Sequence, residues 1–164
     1  LFSYCYANSR HANEYSRPAC SGRHMPLIML EIDCFKAYND RYGHVKGDEC
    51  LQRIGAVLSA QMLRPADVAA RYGGEEFVCL LPETSDTDAR QIAESLRRAI
   101  RDLGIEHEGS SVASVVTASL GVVTVGCVCG GRPETVVAEA DAMLYRAKSE
   151  GRDRVLWSRG SESP

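Results

Sequence analysis

The chain has 164 residues, 45% of them hydrophobic and 25% charged, with 19 Lys plus Arg against 22 Asp plus Glu and a formal net charge of -3. This balance predicts one soluble globular domain over residues 1–164 whose core needs no disulfide or metal staple. It lacks the basic excess with which a protein tracks a nucleic-acid duplex by counterion release, so a duplex is excluded as a partner.

The chain begins at Leu1 without a basic stretch, which predicts a segment of a longer protein with no signal peptide. Pro26 to Asp33 is an apolar run of strand length, and Cys34 to Tyr42 reads as a short helix that Gly43 can end. A longer helix follows from Gly47 to Leu63, where Leu51, Ile54, Leu58 and Met62 form one buried stripe. Val68 to Tyr72 and Phe77 to Leu81 are β-prone runs around Gly73-Gly74, a dipeptide that supplies positive φ for a hairpin turn, and Pro82 closes the second run.

Ser85 with Asp88 makes a capping box for a helix that turns Ala89, Ile92, Leu96, Ile100 and Leu103 inward and stops at Gly104. Gly109 to Gly131 then runs for 23 residues without a charge, long enough to cross a bilayer. Its four serines, five glycines, two threonines and seven valines against one leucine instead predict a buried strand around Val115 to Val125 with flanking turns. No membrane segment is expected. A last helix from Pro133 to Glu150 buries Val137, Leu144 and Ala147 before Gly151 stops it, Arg154 to Trp157 adds an edge strand, and 158–164 is a tail. The alternation of strands and helices predicts an α/β or α+β sandwich.

Seven cysteines, Cys5, Cys20, Cys34, Cys50, Cys79, Cys127 and Cys129, make an odd set without a CxxC pair, which predicts a reducing, cytoplasmic compartment. Cys127 and Cys129 lack the His or second pair that a metal site requires.

The chemistry concentrates at the end of the first strand. Period two puts Glu31 and Asp33 on one face, where burial demands a cation or hydrogen-bond donors, and a hard divalent ion is the usual compensator. A solvated acidic strand end is the ordinary alternative. Glu75-Glu76 follows the Gly-Gly turn, and alternation lets only one of them join the first pair. If the hairpin lies beside the first strand, the resulting carboxylates suit Mg²⁺ with positions left for phosphate.

These residues carry a family resemblance. Arg71-Tyr72-Gly73-Gly74-Glu75-Glu76-Phe77 resembles the signature of GGDEF domains, the diguanylate cyclases, in its GGEEF form. Glu31-Ile32-Asp33-Cys34-Phe35-Lys36, Asn39-Asp40, Tyr42-Gly43-His44 and Gly47-Asp48-Glu49 resemble the family's D-x-D-x-F-K-x-x-N-D-x-x-G-H-x-x-G-D segment. Ala140-Asp141, Leu144-Tyr145, Ala147-Lys148 and Gly151-Arg152 resemble its A-D-x-A-L-Y-x-A-K-x-x-G-R segment. The likeness spans about residues 26 to 157.

The resemblance implies a central, mainly antiparallel sheet flanked by helices, related to nucleotide-cyclase and polymerase palm folds. It implies that two GTP condense into cyclic di-GMP with release of two pyrophosphates, each GTP held by one domain of a transient or tethered homodimer. Carried over by position, Glu31, Glu75 and the carbonyl of Ile32 bind Mg²⁺ or Mn²⁺, with Glu75 the base and Glu76 supporting the site. Asn39 and Asp48 match the guanine readers, and Lys148, Arg152, Lys36 and backbone amides near Cys34 and Phe35 the triphosphate binders. Lys148 and Arg152 are read as i and i+4 at the end of the last helix, where cations also suit the macrodipole. Arg64-Pro65-Ala66-Asp67 matches an R-x-x-D product-inhibition site, against the plain alternative of a solvated Arg and a capping Asp.

Two positions depart from the pattern. Glu31 stands where the family usually has Asp, one methylene longer. The family's D-x-L-T-G-L-x-N-R segment is reduced to Ala7-Asn8-Ser9-Arg10, so residues 1–25 are read as a truncated or diverged stretch. A working diguanylate cyclase and a catalytically silent module that binds GTP or cyclic di-GMP both remain compatible with these residues.

Overall fold

The apolar run that opens the folded part of the chain becomes the central strand of a five-stranded sheet. The computed structural model describes residues 24–125 and 133–158. In chain order it places β1 (Met25–Ile32), α1 (Phe35–Tyr42), α2 (His44–Gln61), β2 (Val68–Gly73), β3 (Glu76–Leu80), α3 (Asp86–Asp102), β4 (Ala118–Val125), α4 (Pro133–Ser149) and β5 (Val155–Trp157). The sheet order is β2-β3-β1-β4-β5. Strand β1 runs antiparallel to β3 and β4, β2 antiparallel to β3, and only β5 lies parallel to its neighbour β4. This is the expected mainly antiparallel α+β sheet, with the short terminal strand at an edge.

Strand β1 is covered on both faces, which explains its unbroken apolar sequence. Ile28, Leu30 and Ile32 pack with Leu51, Ile54 and Leu58 of α2 and with Ala89, Ala93, Leu96 and Ile100 of α3. Leu27 and Met29 face the other way, onto Ala140 and Leu144 of α4 together with Val78, Leu80 and Val123. Burying each such aliphatic side chain contributes about 1.5–3 kcal/mol relative to exposure. Helix α4 lies very close to the sheet because Gly121 of β4 has no side chain. A Cβ there would stand 2.3 Å from the Ala140 carbonyl oxygen and 2.5 Å from the Leu144 nitrogen. That approach brings the last turn of α4 to the end of β1. Helix α3 starts as its capping box predicts: the Asp88 N–H donates to Ser85 Oγ at 3.1 Å, and Ser85 Oγ donates to the Asp88 carboxylate at 2.7 Å.

Four local expectations are corrected. Helix α2 begins at His44 rather than Gly47, because Gly43, at φ 83°, is shared by two helices. Its N–H ends α1 on the Asn39 carbonyl at 2.9 Å, and its own carbonyl starts α2 by accepting from Gly47 N–H at 3.1 Å. The hairpin turn is Gly74-Glu75 rather than Gly73-Gly74, since Gly73 still pairs with Glu76 and Gly74 alone takes positive φ, at 52°. Strand β4 starts at Ala118, Val115 forming only an isolated bridge to Glu106. Helix α4 ends at Ser149, so Arg152 is not on it. The expectations for residues 1–23, including Ala7 to Arg10, for Cys127 and Cys129, and for the tail beyond Ser158 lie outside the described residues. Among the described residues, no helix is long and apolar enough to cross a membrane.

Candidate active site

The C-terminal end of β1, the β2–β3 turn, the start of α1 and the last turn of α4 meet at one end of the sheet. Glu31 is the cross-strand partner of Glu76, so both carboxylates stand on the α4 face. Lys148 of α4 donates to Glu31 Oε2 at 2.7 Å. The Ile32 N–H donates to the Glu75 carbonyl at 3.2 Å, fixing the hairpin turn against the strand end. Burial pushes the Glu76 carboxyl above its ordinary range, and the charges of Glu31, Glu75 and Asp141 add to this while Lys148 opposes it. Of the two acidic residues after the glycines, it is therefore Glu76 that joins Glu31 on one face, while Glu75 sits at the turn itself. Among the described residues, no three or more His, Cys, Asp or Glu side chains are already gathered as a metal cluster.

Asp33 is compensated by donors rather than needing a cation. Its buried carboxylate accepts from Ser119 Oγ at 2.7 Å, Thr117 Oγ1 at 2.8 Å and the Asp153 N–H at 3.1 Å. Burial still raises its pKa, against the lowering effect of those bonds and of the nearby Arg152 charge. Arg152 follows Gly151 outside the helix at φ 64°, and its N–H donates to the Ala147 carbonyl at 3.0 Å. The spacing of Lys148 and Arg152 therefore reflects a turn that folds back on the helix end, not one helical face.

On the opposite face, Asn39 and Asp48 are brought together around Gly47. A Cβ at Gly47 would lie 1.9 Å from Asn39 Oδ1, so a larger residue there would have to displace this amide. Asn39 Oδ1 is buried and has no hydrogen-bond partner among the described residues. Asp48 is exposed and lines a groove with Leu51, Gln52 and Arg71, and Arg71 Nε donates to the Gly74 carbonyl at 2.7 Å. Cys34 caps α1 in the left-handed conformation at φ 56°, Phe35 is buried, and Lys36 is exposed in the first turn. Phe35 can thus serve a ligand only through its backbone.

Arg64 and Asp67 lie at the other end of the β2–β3 hairpin from Gly74. The Arg64 N–H donates to Asp67 Oδ2 at 3.1 Å, the local capping contact that was the plain alternative. The Arg64 guanidinium donates to the Glu83 carbonyl at 3.3 Å and to Thr84 Oγ1.

Sequence reasoning missed three contributors. Arg71 was read only as part of the hairpin signature. His107, buried, contacts the Cys34 carbonyl through Nε2 at 3.1 Å and meets the Tyr38 ring edge-on at 5.2 Å. Asp153 bonds Asp33 through its backbone and Arg97 through its carboxylate at 2.5 Å. His107 and Asp153 belong to loops, where no periodicity marks a contact.

Comparison with known proteins bears on the family and the fold. The family described as "Diguanylate cyclase, GGDEF domain" matches residues 3–154. Diguanylate cyclase VdcA of Vibrio cholerae is 45% identical over 138 residues, covering 83% of this chain and 40% of its own. The GGDEF domain of DgcB from Caulobacter crescentus, solved in complex with c-di-GMP, superposes with a TM-score of 0.73 at 30% identity, covering 83% of this chain and 78% of that one. Diguanylate cyclase SiaD of Pseudomonas aeruginosa, solved with its activator SiaC, gives a TM-score of 0.77 at 37% identity over 89% of this chain and 54% of that one. The chain spans well under half the length of the curated relatives it matches, at 40%, 36% and 21% for the first three.

Proposed function

The chain belongs to the GGDEF diguanylate cyclase family, and on that premise we propose that it condenses two GTP into cyclic di-GMP and two pyrophosphates. The observation that carries this reading is the register of Glu31 on Glu76, with Lys148 bonded to Glu31 and the Gly74-Glu75 turn fixed to Ile32. Burial, reinforced by the charges of Glu31 and Glu75, raises the Glu76 pKa, and hard carboxylate oxygens set beside one another suit Mg²⁺ or Mn²⁺. Glu31, Glu75 and the Ile32 carbonyl would hold the ion, which when bound supplies charge neutralisation for the triphosphate.

The chain's own groups divide the remaining work. Asp48 accepts from the N1–H and N2 amino donors that distinguish guanine from adenine, with Asn39, packed against the neighbouring Gly47, as the second guanine reader. Lys148 exchanges Glu31 for phosphate oxygens, joined by Arg152, Lys36 and the first-turn amides at Cys34 and Phe35, which have no intrahelical acceptor. Glu75 takes the proton of the 3′-hydroxyl, whose oxygen attacks the α-phosphorus of the GTP held by a second domain, and pyrophosphate leaves. Repeating the step with the roles exchanged closes the ring, so a homodimer, transient or tethered, is required. Glu76 holds the local field that Glu31 and Glu75 work in. Product binds in turn at Arg64 and Asp67, remote from the carboxylates, and slows the reaction. The free thiols Cys34, Cys50 and Cys79 suit a reducing cytoplasm.

The test is incubation with GTP and Mg²⁺ or Mn²⁺ followed by nucleotide chromatography. Wild-type protein is expected to yield cyclic di-GMP, and Glu75→Gln to lose at least a hundredfold in rate while keeping its melting temperature. GTP binding without product would favour the silent module instead.

A further inference from the structure

The backbone after α4 takes three consecutive positive φ values: Gly151 at 119°, Arg152 at 64° and Asp153 at 46°. Two of these residues are not glycine, so the surroundings must impose the conformation. A buried carboxylate is responsible on one side. Asp33, 2% exposed, already accepts from Thr117 and Ser119, and it uses its third hydrogen bond on the Asp153 N–H at 3.1 Å. On the other side the Asp153 carboxylate accepts from Arg97 at 2.5 Å and from Arg101, both on α3. Arg97 is itself held by Glu94, through Nε at 3.0 Å and a second nitrogen at 2.8 Å. The half-buried Arg152 precedes the anchored Asp153, its own N–H on Ala147 and its carbonyl accepting from Arg154 Nε at 3.1 Å.

A loop that only had to join α4 to β5 could turn on exposed glycines, without a buried carboxylate beneath it. Here the end of β1 and two arginines of α3 converge on the residue that follows Arg152. Lys148, by contrast, reaches Glu31 on a flexible stem. We infer that Asp33 and Asp153 are positioning residues that fix the Arg152 backbone against the last turn of α4, next to Lys148, so that one of the two phosphate-binding cations is set before substrate arrives. This inference rests on the reading of Arg152 as a phosphate ligand.

The test uses the full chain and a double-mutant cycle. GTP dissociation constants from calorimetry and KM and kcat from product chromatography are measured for wild type, Asp153→Val, Asp153→Asn and Arg152→Ala, and for Asp153→Val combined with Arg152→Ala. Valine disfavours positive φ and removes the carboxylate, whereas asparagine tolerates that conformation and keeps an acceptor for the arginines. Asp153→Val is expected to weaken GTP binding and raise KM at least tenfold with kcat within twofold, Asp153→Asn to restore binding to within threefold, and Asp153→Val to cost less than twofold once Arg152 is alanine. Should Asp153→Val fail to fold, Asp153→Ala takes its place in the cycle. Unchanged affinity in the single variant, or an equal loss with and without Arg152, overturns the inference. Wild-type protein that binds GTP but forms no product defeats the cyclase reading while the affinities still decide the inference; wild-type protein that binds no GTP defeats both.

Discussion

Glu31 and Glu76 show how one register sets the chemistry of two residues. Their cross-strand pairing places like charges side by side, with Lys148 the local counter-charge. A carboxyl whose folded-state pKa is raised binds its proton more tightly in the folded than in the unfolded chain. Ionised Glu76 therefore costs stability above its folded pKa, and the cost disappears as pH falls below its ordinary value of 4.5. Glu76→Gln should raise the melting temperature at neutral pH, with the gap from wild type closing on acidification to about pH 4; a gap independent of pH would contradict the account of this residue. Glu31 poses a separate question, because it is one methylene longer than the family's usual Asp. Glu31→Asp should preserve or raise kcat, within about threefold of wild type or above it, and a loss of all turnover would show that Glu31 is not the ligand position.

At the scale of elements, the boundaries that failed in the sequence reading are those decided by backbone geometry rather than by apolar periodicity. The stripe Leu51, Ile54 and Leu58 marks α2 correctly because burial follows the helical period. Its start at His44 was hidden, since Gly43 reads as a stop for one helix and gives no sign of opening the next. The hairpin was legible from two β-prone runs, but which glycine takes positive φ depends on pairing with β3. Arg152 looks helical by its spacing, but the turn that carries it is tied through the Asp153 N–H to Asp33, 120 positions away in sequence, which no local pattern could reveal. The two strained residues at that turn cost about 1–3 kcal/mol each, and the Asp33 and Asp153 contacts are what offset them. The loop before β2 supports a further prediction. Arg64 is engaged with Glu83 and Thr84 at the far end of the hairpin from Gly74, away from the carboxylates. Calorimetry with cyclic di-GMP should show at least a tenfold loss of affinity in Arg64→Ala, about 1.4 kcal/mol, and equal affinities would remove the product site from that loop.

For the molecule as a whole, the structure brings Glu31 and Glu76 together in one pair and sets Asp48 in one groove, and under the proposed function each copy of this domain binds one GTP. Closing a ring from two nucleotides then requires two copies face to face, and the rate must depend on how often they meet. Joining two copies through a leucine zipper brings their effective concentration toward the millimolar range, which should raise the rate per chain at dilution. The most direct measurement of the central claim is cyclic di-GMP formed per chain across a dilution series, at saturating GTP with Mg²⁺ and with product removed, for the bare protein, the zipper fusion and Glu75→Gln. The account predicts a specific rate that falls on dilution for the bare protein, holds for the fusion, and is lost in Glu75→Gln at every concentration. A specific rate that stays flat on dilution in a protein monomeric by light scattering, or no cyclic di-GMP at any concentration, would contradict it.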